Sequence, residues 1–140
     1  MTAGERPVGL TRDAGWQVGV SRTLAVDLDT VWAHLVSPEG LDTWLGLGAR
    51  PAPERGARYE TEDATTGEIR SWREGDRLRA TRQAPGDDHE TTVQVALGAT
   101  PTGTRMTLHQ ERMASAAERQ RMREHWRSVA DAFEEALAGG

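Results

Sequence analysis

Met122, Trp126, Val129, Phe133 and Leu137 recur near the C-terminus at helical spacing. That lays one apolar stripe along a long α-helix. Ser115-Ala116-Ala117-Glu118 opens the run. It is a capping box, in which the serine and the glutamate three residues on satisfy each other's backbone donors. Gly139-Gly140 close the helix, and the opposite face, with Glu118, Arg119, Arg121, Glu124, Arg127, Asp131 and Glu135, reads as solvated. A helix apolar along one side only must have that side covered by the rest of the chain.

The cover is legible upstream. Trp16, Val18, Val20, Arg22, Leu24 and Val26 alternate with smaller or polar residues, the period of a long strand, with a bulge expected near Gly19. Asp29 is placed to cap a short helix carrying Val31, Trp32, Leu35 and Val36. Ser37-Pro38-Glu39 starts a second one, with Leu41, Trp44 and Leu45 on one face and Gly46-Leu47-Gly48 as its stop. Five further strands are expected over 57–62, 67–73, 76–83, 89–97 and 103–110, separated by turn-rich Gly, Pro, Asp and Thr clusters. The order strand, two short helices, five strands, long helix makes an α+β fold, a curved six-stranded antiparallel sheet wrapped around the C-terminal helix. A sheet gripping one helix leaves unfilled volume between the two, where a small apolar ligand fits.

The 140 residues suit one domain over 15–140, large enough to bury a core without a staple, behind a polar tail at 1–14. A net charge of −5 with no basic run argues against nucleic acid as partner. The absence of cysteine excludes a disulfide framework, a thiolate zinc site and a cysteine nucleophile. No leader-like or membrane-spanning apolar run is present, so a cytoplasmic protein, monomer or homodimer, is expected. His34, His89, His109 and His125 lack metal-ligand spacing, and His109 and His125 read as surface residues. There is no Gly-x-Ser-x-Gly elbow, and Gly46-Leu47-Gly48 follows a helix instead of a strand, so no cofactor and no recognisable catalytic constellation are expected.

Several phrases add a resemblance. Val31-Trp32 through Leu41-Asp42-Thr43-Trp44-Leu45, Gly67-Glu68-Ile69-Arg70-Ser71-Trp72, Asp76-Arg77-Leu78-Arg79-Ala80-Thr81, Gly103-Thr104-Arg105-Met106-Thr107-Leu108 and the helix residue Trp126 stand in the order found in the START-like superfamily, also called SRPBCC or helix-grip proteins. The chain resembles most the branch named after the activator of the large heat-shock chaperone's ATPase, over about residues 16–138. It departs from that branch at Ala80 and Arg82, at Gln110 with His109 one place earlier, and at His125. Those departures imply a pocket wider and more polar on one wall.

The candidate ligand-binding residues follow. Trp44, Tyr59, Trp72 and Trp126 are rigid rings able to line a pocket, and the alternative is that they are core. Arg82, on the face of Leu78 and Ala80, offers a planar fork to a carboxylate or phenolate, unless it lies at the strand end and pairs with an acid such as Glu90. Met106 and Gln110 border the long helix, from which Val129 and Phe133 point toward the sheet. The leading expectation is a binder of a small apolar or amphipathic molecule, for sequestration, transport or sensing. The resemblance also leaves open an aromatase/cyclase-like enzyme on a polyketide-type substrate, and a protein-interaction module acting on a chaperone.

Overall fold

In the sheet, alternation decides which side is buried. Val93, Val95 and Leu97 are closed to solvent, as are Thr104, Met106, Leu108 and Gln110 on the neighbouring strand. Facing them are Trp126, Val129, Ala130 and Phe133 of the long helix. The computed structural model describes residues 10–11 and 15–138. Its elements are β1 (Leu10–Thr11), β2 (Gly15–Leu24), α1 (Leu28–Leu35), α2 (Pro38–Trp44), β3 (Arg58–Glu60), β4 (Thr66–Arg73), β5 (Arg77–Arg82), β6 (Thr91–Thr100), β7 (Gly103–Met113) and α3 (Ala116–Ala138). The sheet order is β1-β2-β7-β6-β5-β4-β3, with every neighbouring pair antiparallel.

The six expected strands, both short helices and the long helix are all present, which is the helix-grip α+β architecture. Of the expected tail, residues 10–11 form the short β1 on the edge of β2, pairing Leu10 with Trp16 and Thr11 with Gly15. The rest of 1–14 lies outside the described residues, as do Gly139 and Gly140.

Local differences from the sequence reading have identifiable causes. The bulge expected near Gly19 sits between Trp16 and Val18, and its extra residue is on β7, where Arg112 adopts φ 68°. A left-handed residue there absorbs the additional link without disturbing β2. The cap of α1 is Asp27, whose carboxylate accepts from the Thr30 amide (3.3 Å) and hydroxyl (2.5 Å). Asp29 instead occupies the first turn, where its charge complements the helix N-terminus. Ser37 caps α2 through Gly40 N as expected (3.1 Å). At α3 the Ser115 hydroxyl accepts from Glu118 N (3.1 Å), but the Glu118 carboxylate reaches one residue further back, to Ala114 N (2.7 Å). Glu118 is thus buried, not solvated, because it also bonds His89 Nε2 from the β5–β6 connection at 2.8 Å.

A buried polar chain ties the helix to three strands. Trp126 Nε1–H donates to Gln110 Oε1 (2.9 Å), Gln110 Nε2 donates to Thr91 Oγ1 (3.0 Å), and Thr91 Oγ1 donates to the Arg82 carbonyl (3.2 Å). Replacing Gln110 by leucine conserves volume but orphans the buried indole N–H, so Gln110→Leu should lose about 1–3 kcal/mol. Urea unfolding would show this as a lower midpoint at unchanged slope; an unchanged midpoint would refute it. The bond to Asp88, seconded by Glu118, raises the pKa of His89 against a smaller desolvation effect. Its stabilising contribution is therefore complete below the unfolded value near 6.5 and is lost as pH rises through the raised folded value. Across that window Tm should fall with pH in the native chain, and His89→Ala should remove that component.

Candidate functional site

Where the end of α2 meets the β3–β4 turn, side chains leave a half-open cavity of about 420 Å³. The chain folds this way because α2 stops in Leu45-Gly46-Leu47-Gly48 instead of running on. Gly46 has φ 135°, and a Cβ on it would collide with the Thr61 side chain. Glycine therefore permits the post-helix loop to lie against the turn, and Glu62 N donates to Leu47 O across the junction (2.8 Å). Asp42 holds the loop from the helix side, accepting from Gly48 N (2.9 Å) and Arg50 (2.8 Å).

One wall is apolar, formed by Trp44, Leu45 and Leu47. The Trp44 ring is fixed by its Nε1–H donating to Leu35 O at 3.0 Å. Leu47 is 57% exposed at the mouth, unlike every other large hydrophobic side chain among the described residues. The facing wall is the β3–β4 turn, with Thr61, Asp63 and Thr65. Asp63 accepts from the Thr61 hydroxyl and from Thr65 N. These bonds, the Thr61 one foremost, hold its carboxyl below the ordinary range, and the nearby Arg82 charge adds to the effect.

Arg82 enters from the end of β5 and His125 from α3. Among the described residues the half-buried Arg82 side chain has no ion pair and no side-chain hydrogen bond, so no Glu90 bridge forms. Its backbone, by contrast, is held by Thr91, and the preceding Thr81 carbonyl accepts from Tyr59 OH at 2.6 Å. His125 keeps an accessible face at the cavity, yet desolvation lowers its pKa and the Arg82 charge lowers it further. The cavity thus presents a guanidinium free to bind, beside an imidazole biased toward its neutral form.

Of the sequence candidates, Trp44 and Arg82 line this cavity together. Tyr59 is buried with its phenol committed to Thr81, and its ring crosses Gly67, where a Cβ would collide with both the ring and the Thr81 carbonyl. Burial pushes that phenol well above its ordinary pKa. Trp72 stands apart, edge-on to Trp32 at 6.4 Å and beside Pro51 and Pro53. Met106, Gln110, Trp126, Val129 and Phe133 are closed to solvent in the core between sheet and helix, and none of them lines this cavity. Sequence reading missed Leu45, Leu47 and the Thr61–Thr65 turn as lining residues; His125 is exposed, as expected, and also borders the cavity. The available signal was Gly46-Leu47-Gly48, which stops a helix with an apolar residue between two glycines. No three His, Asp or Glu side chains converge as a metal site among the described residues, nor is any described helix long and apolar enough to cross a membrane.

The family model described as Activator of Hsp90 ATPase homolog 1-like protein matches residues 25–138. Among solved structures, CalU16 from Micromonospora echinospora superposes with a TM-score of 0.77 at 16% identity, over 88% of this chain and 74% of that one. DynU16, of the dynemicin biosynthetic locus, gives 0.72 at 18% identity over 87% of this chain, which spans 47% of DynU16. The Aha1 dimer from Colwellia psychrerythraea gives 0.72 at 9% identity, over 86% and 95%. No curated protein matches. At these identities the structures establish the fold.

The electrostatics at the cavity can be checked directly. By NMR titration His125 should show a pKa below the usual value near 6.5. Arg82→Gln should move it part of the way back, since desolvation is the larger cause. A His125 pKa indifferent to Arg82 would separate the two groups.

Proposed function

This chain belongs to the Activator of Hsp90 ATPase homolog 1-like family, and we propose that it binds a small amphipathic molecule in the cavity between α2, the β3–β4 turn, Arg82 and His125. The observation that carries this reading is an unpaired guanidinium, on a backbone held by hydrogen bonds, opening into a preformed space of about 420 Å³. That size lies within the range of small-molecule sites. The apolar body of the ligand lies against Trp44, Leu45 and Leu47, and an anionic or strongly polar oxygen is taken by the Arg82 fork. Sequestration, transport and sensing all use such a site. The location in the cytoplasm and the choice between monomer and homodimer belong to this proposal too, the latter supported by the dimeric Aha1 neighbour.

A second reading is turnover of a ring-forming, polyketide-type substrate. The DynU16 neighbour's biosynthetic locus favours it, as does a neutral-biased imidazole beside a cation, which are a base and an oxyanion partner in one cavity. A chaperone-directed interaction module, which the family description brings to mind, has less support, because the exposed large apolar side chain, Leu47, already belongs to the cavity rim.

Native mass spectrometry of gently purified protein should show a stoichiometric organic ligand, or Trp fluorescence should respond to aromatic carboxylates. Arg82→Gln should weaken such binding about tenfold to a hundredfold while leaving stability near that of the parent. Absence of any ligand together with silent fluorescence would overturn the binding reading. If ring-forming test substrates are consumed, His125→Gln separates the readings, since it should abolish turnover with little effect on binding.

A further inference from the structure

We propose that the ligand of the cavity carries two opposite charges side by side, an ammonium next to a carboxylate, as in a free α-amino acid with a large apolar or aromatic side chain. This rests on the cavity reading above and names the ligand class that the charges around the space select. Arg82 and Asp63 line the same cavity. They are near enough for the Arg82 charge to act on the Asp63 carboxyl, yet no ion pair joins them. Opposite charges that border one space without touching leave room for a ligand that accepts from the first and donates to the second. Asp63 receives the Thr61 hydroxyl and the Thr65 amide on the same oxygen, Oδ1. An ionised carboxyl offers about four lone-pair sites, so Asp63 retains capacity to accept from an ammonium.

The balance of charge around the space argues against an anion alone. Asp42, Glu62 and Asp63 all line it. Asp42 is answered by Arg50 at 2.8 Å and by Gly48 N at 2.9 Å. Glu62 forms no ion pair among the described residues, and its carboxylate lies over Gly48, where a Cβ would stand 3.5 Å from Oε2. His125, biased toward its neutral form, supplies no second fixed cation. A ligand with a carboxylate only would gain from Arg82 and lose against Asp63 and Glu62. One with an ammonium only would gain from those carboxylates and lose against Arg82. A zwitterion with its carboxylate toward Arg82 and its ammonium toward Asp63 avoids both penalties. Trp44, Leu45 and Leu47, on the wall facing the β3–β4 turn, then take its side chain.

The test compares three probes on the full chain at neutral pH by calorimetric titration. They are phenylalanine, 3-phenylpropionate, which lacks the ammonium, and phenethylamine, which lacks the carboxylate. Phenylalanine should bind about tenfold or more tighter than either. Asp63→Asn keeps an oxygen for Thr61 and Thr65 but should remove the advantage over phenylpropionate. Arg82→Gln should remove the advantage over phenethylamine. Glu62→Gln, whose side chain takes no part in the hydrogen bonds of the turn, should reduce the preference over phenylpropionate in the same direction and serves if Asp63→Asn does not fold. Phenylpropionate binding as tightly as phenylalanine overturns the inference and leaves the cavity reading standing, as does a preference unchanged in the carboxamide variants. Phenethylamine binding as tightly as phenylalanine overturns it by removing Arg82 from recognition. If none of the three binds, the inference fails, and the fluorescence response to larger aromatic carboxylates decides the cavity reading on its own.

Discussion

The buried hydrogen-bond chain from Trp126 through Gln110 and Thr91 to the Arg82 carbonyl organises this molecule. An indole N–H, a carboxamide and a hydroxyl sit inside an otherwise apolar core, where each would cost stability if unpaired. Each is paired, and the chain crosses from α3 over β7 and β6 to β5. It fixes the rotation of the helix, for only one azimuth brings the Trp126 N–H to Gln110. It also fixes the register of the strands, because a slip by one residue would turn Gln110 to the outer face.

The position of the cavity follows from that arrangement. The middle of the space between helix and sheet is closed by Met106, Gln110, Trp126, Val129 and Phe133. The volume left over is displaced to the end where α2 stops and the β3–β4 turn folds in. Glycine at position 46 keeps this end tight enough to form walls. Arg82 joins both regions, with its carbonyl at the end of the core hydrogen-bond chain and its guanidinium in the cavity. Its side chain projects from backbone that Thr91 and Tyr59 hold on successive carbonyls, so the main chain beneath it is ordered before a ligand binds and the ordering cost that remains is that of the arginine side chain itself.

Much of the fold was legible because its signals are local. Val93, Val95 and Leu97 announce a half-buried strand by their period of two, and the stripe from Met122 to Leu137 announces a helix by its period near 3.6. Ser37-Pro38-Glu39 located a helix start to the residue because cap chemistry is confined to one turn. Local signals failed where two compatible residues stood close together. Asp27 and Asp29 can both cap, and only backbone geometry selects Asp27. Glu118 looks like one more acid on a solvated face, but His89 arrives from a distant turn to cover it. The candidate site was half legible. Trp44 and Arg82 were named from residue type and strand phase, whereas Leu47 and the Thr61–Thr65 turn join the site only through a contact between separate loops.

By itself the sequence determined the order of elements, the buried side of each and the family pattern, because hydrophobic period and capping are written along the chain. Tertiary structure alone decided which polar residues spend their hydrogen bonds inside and which keep them for a ligand. Gln110 and Arg82 look equally suited to hold a ligand when read along their strands. Gln110 is consumed by Trp126 and Thr91, while the Arg82 guanidinium, though near Asp63, forms no salt bridge and no side-chain hydrogen bond among the described residues. Partnership of that kind depends on residues far apart in the chain brought to hydrogen-bonding distance, which no local pattern encodes.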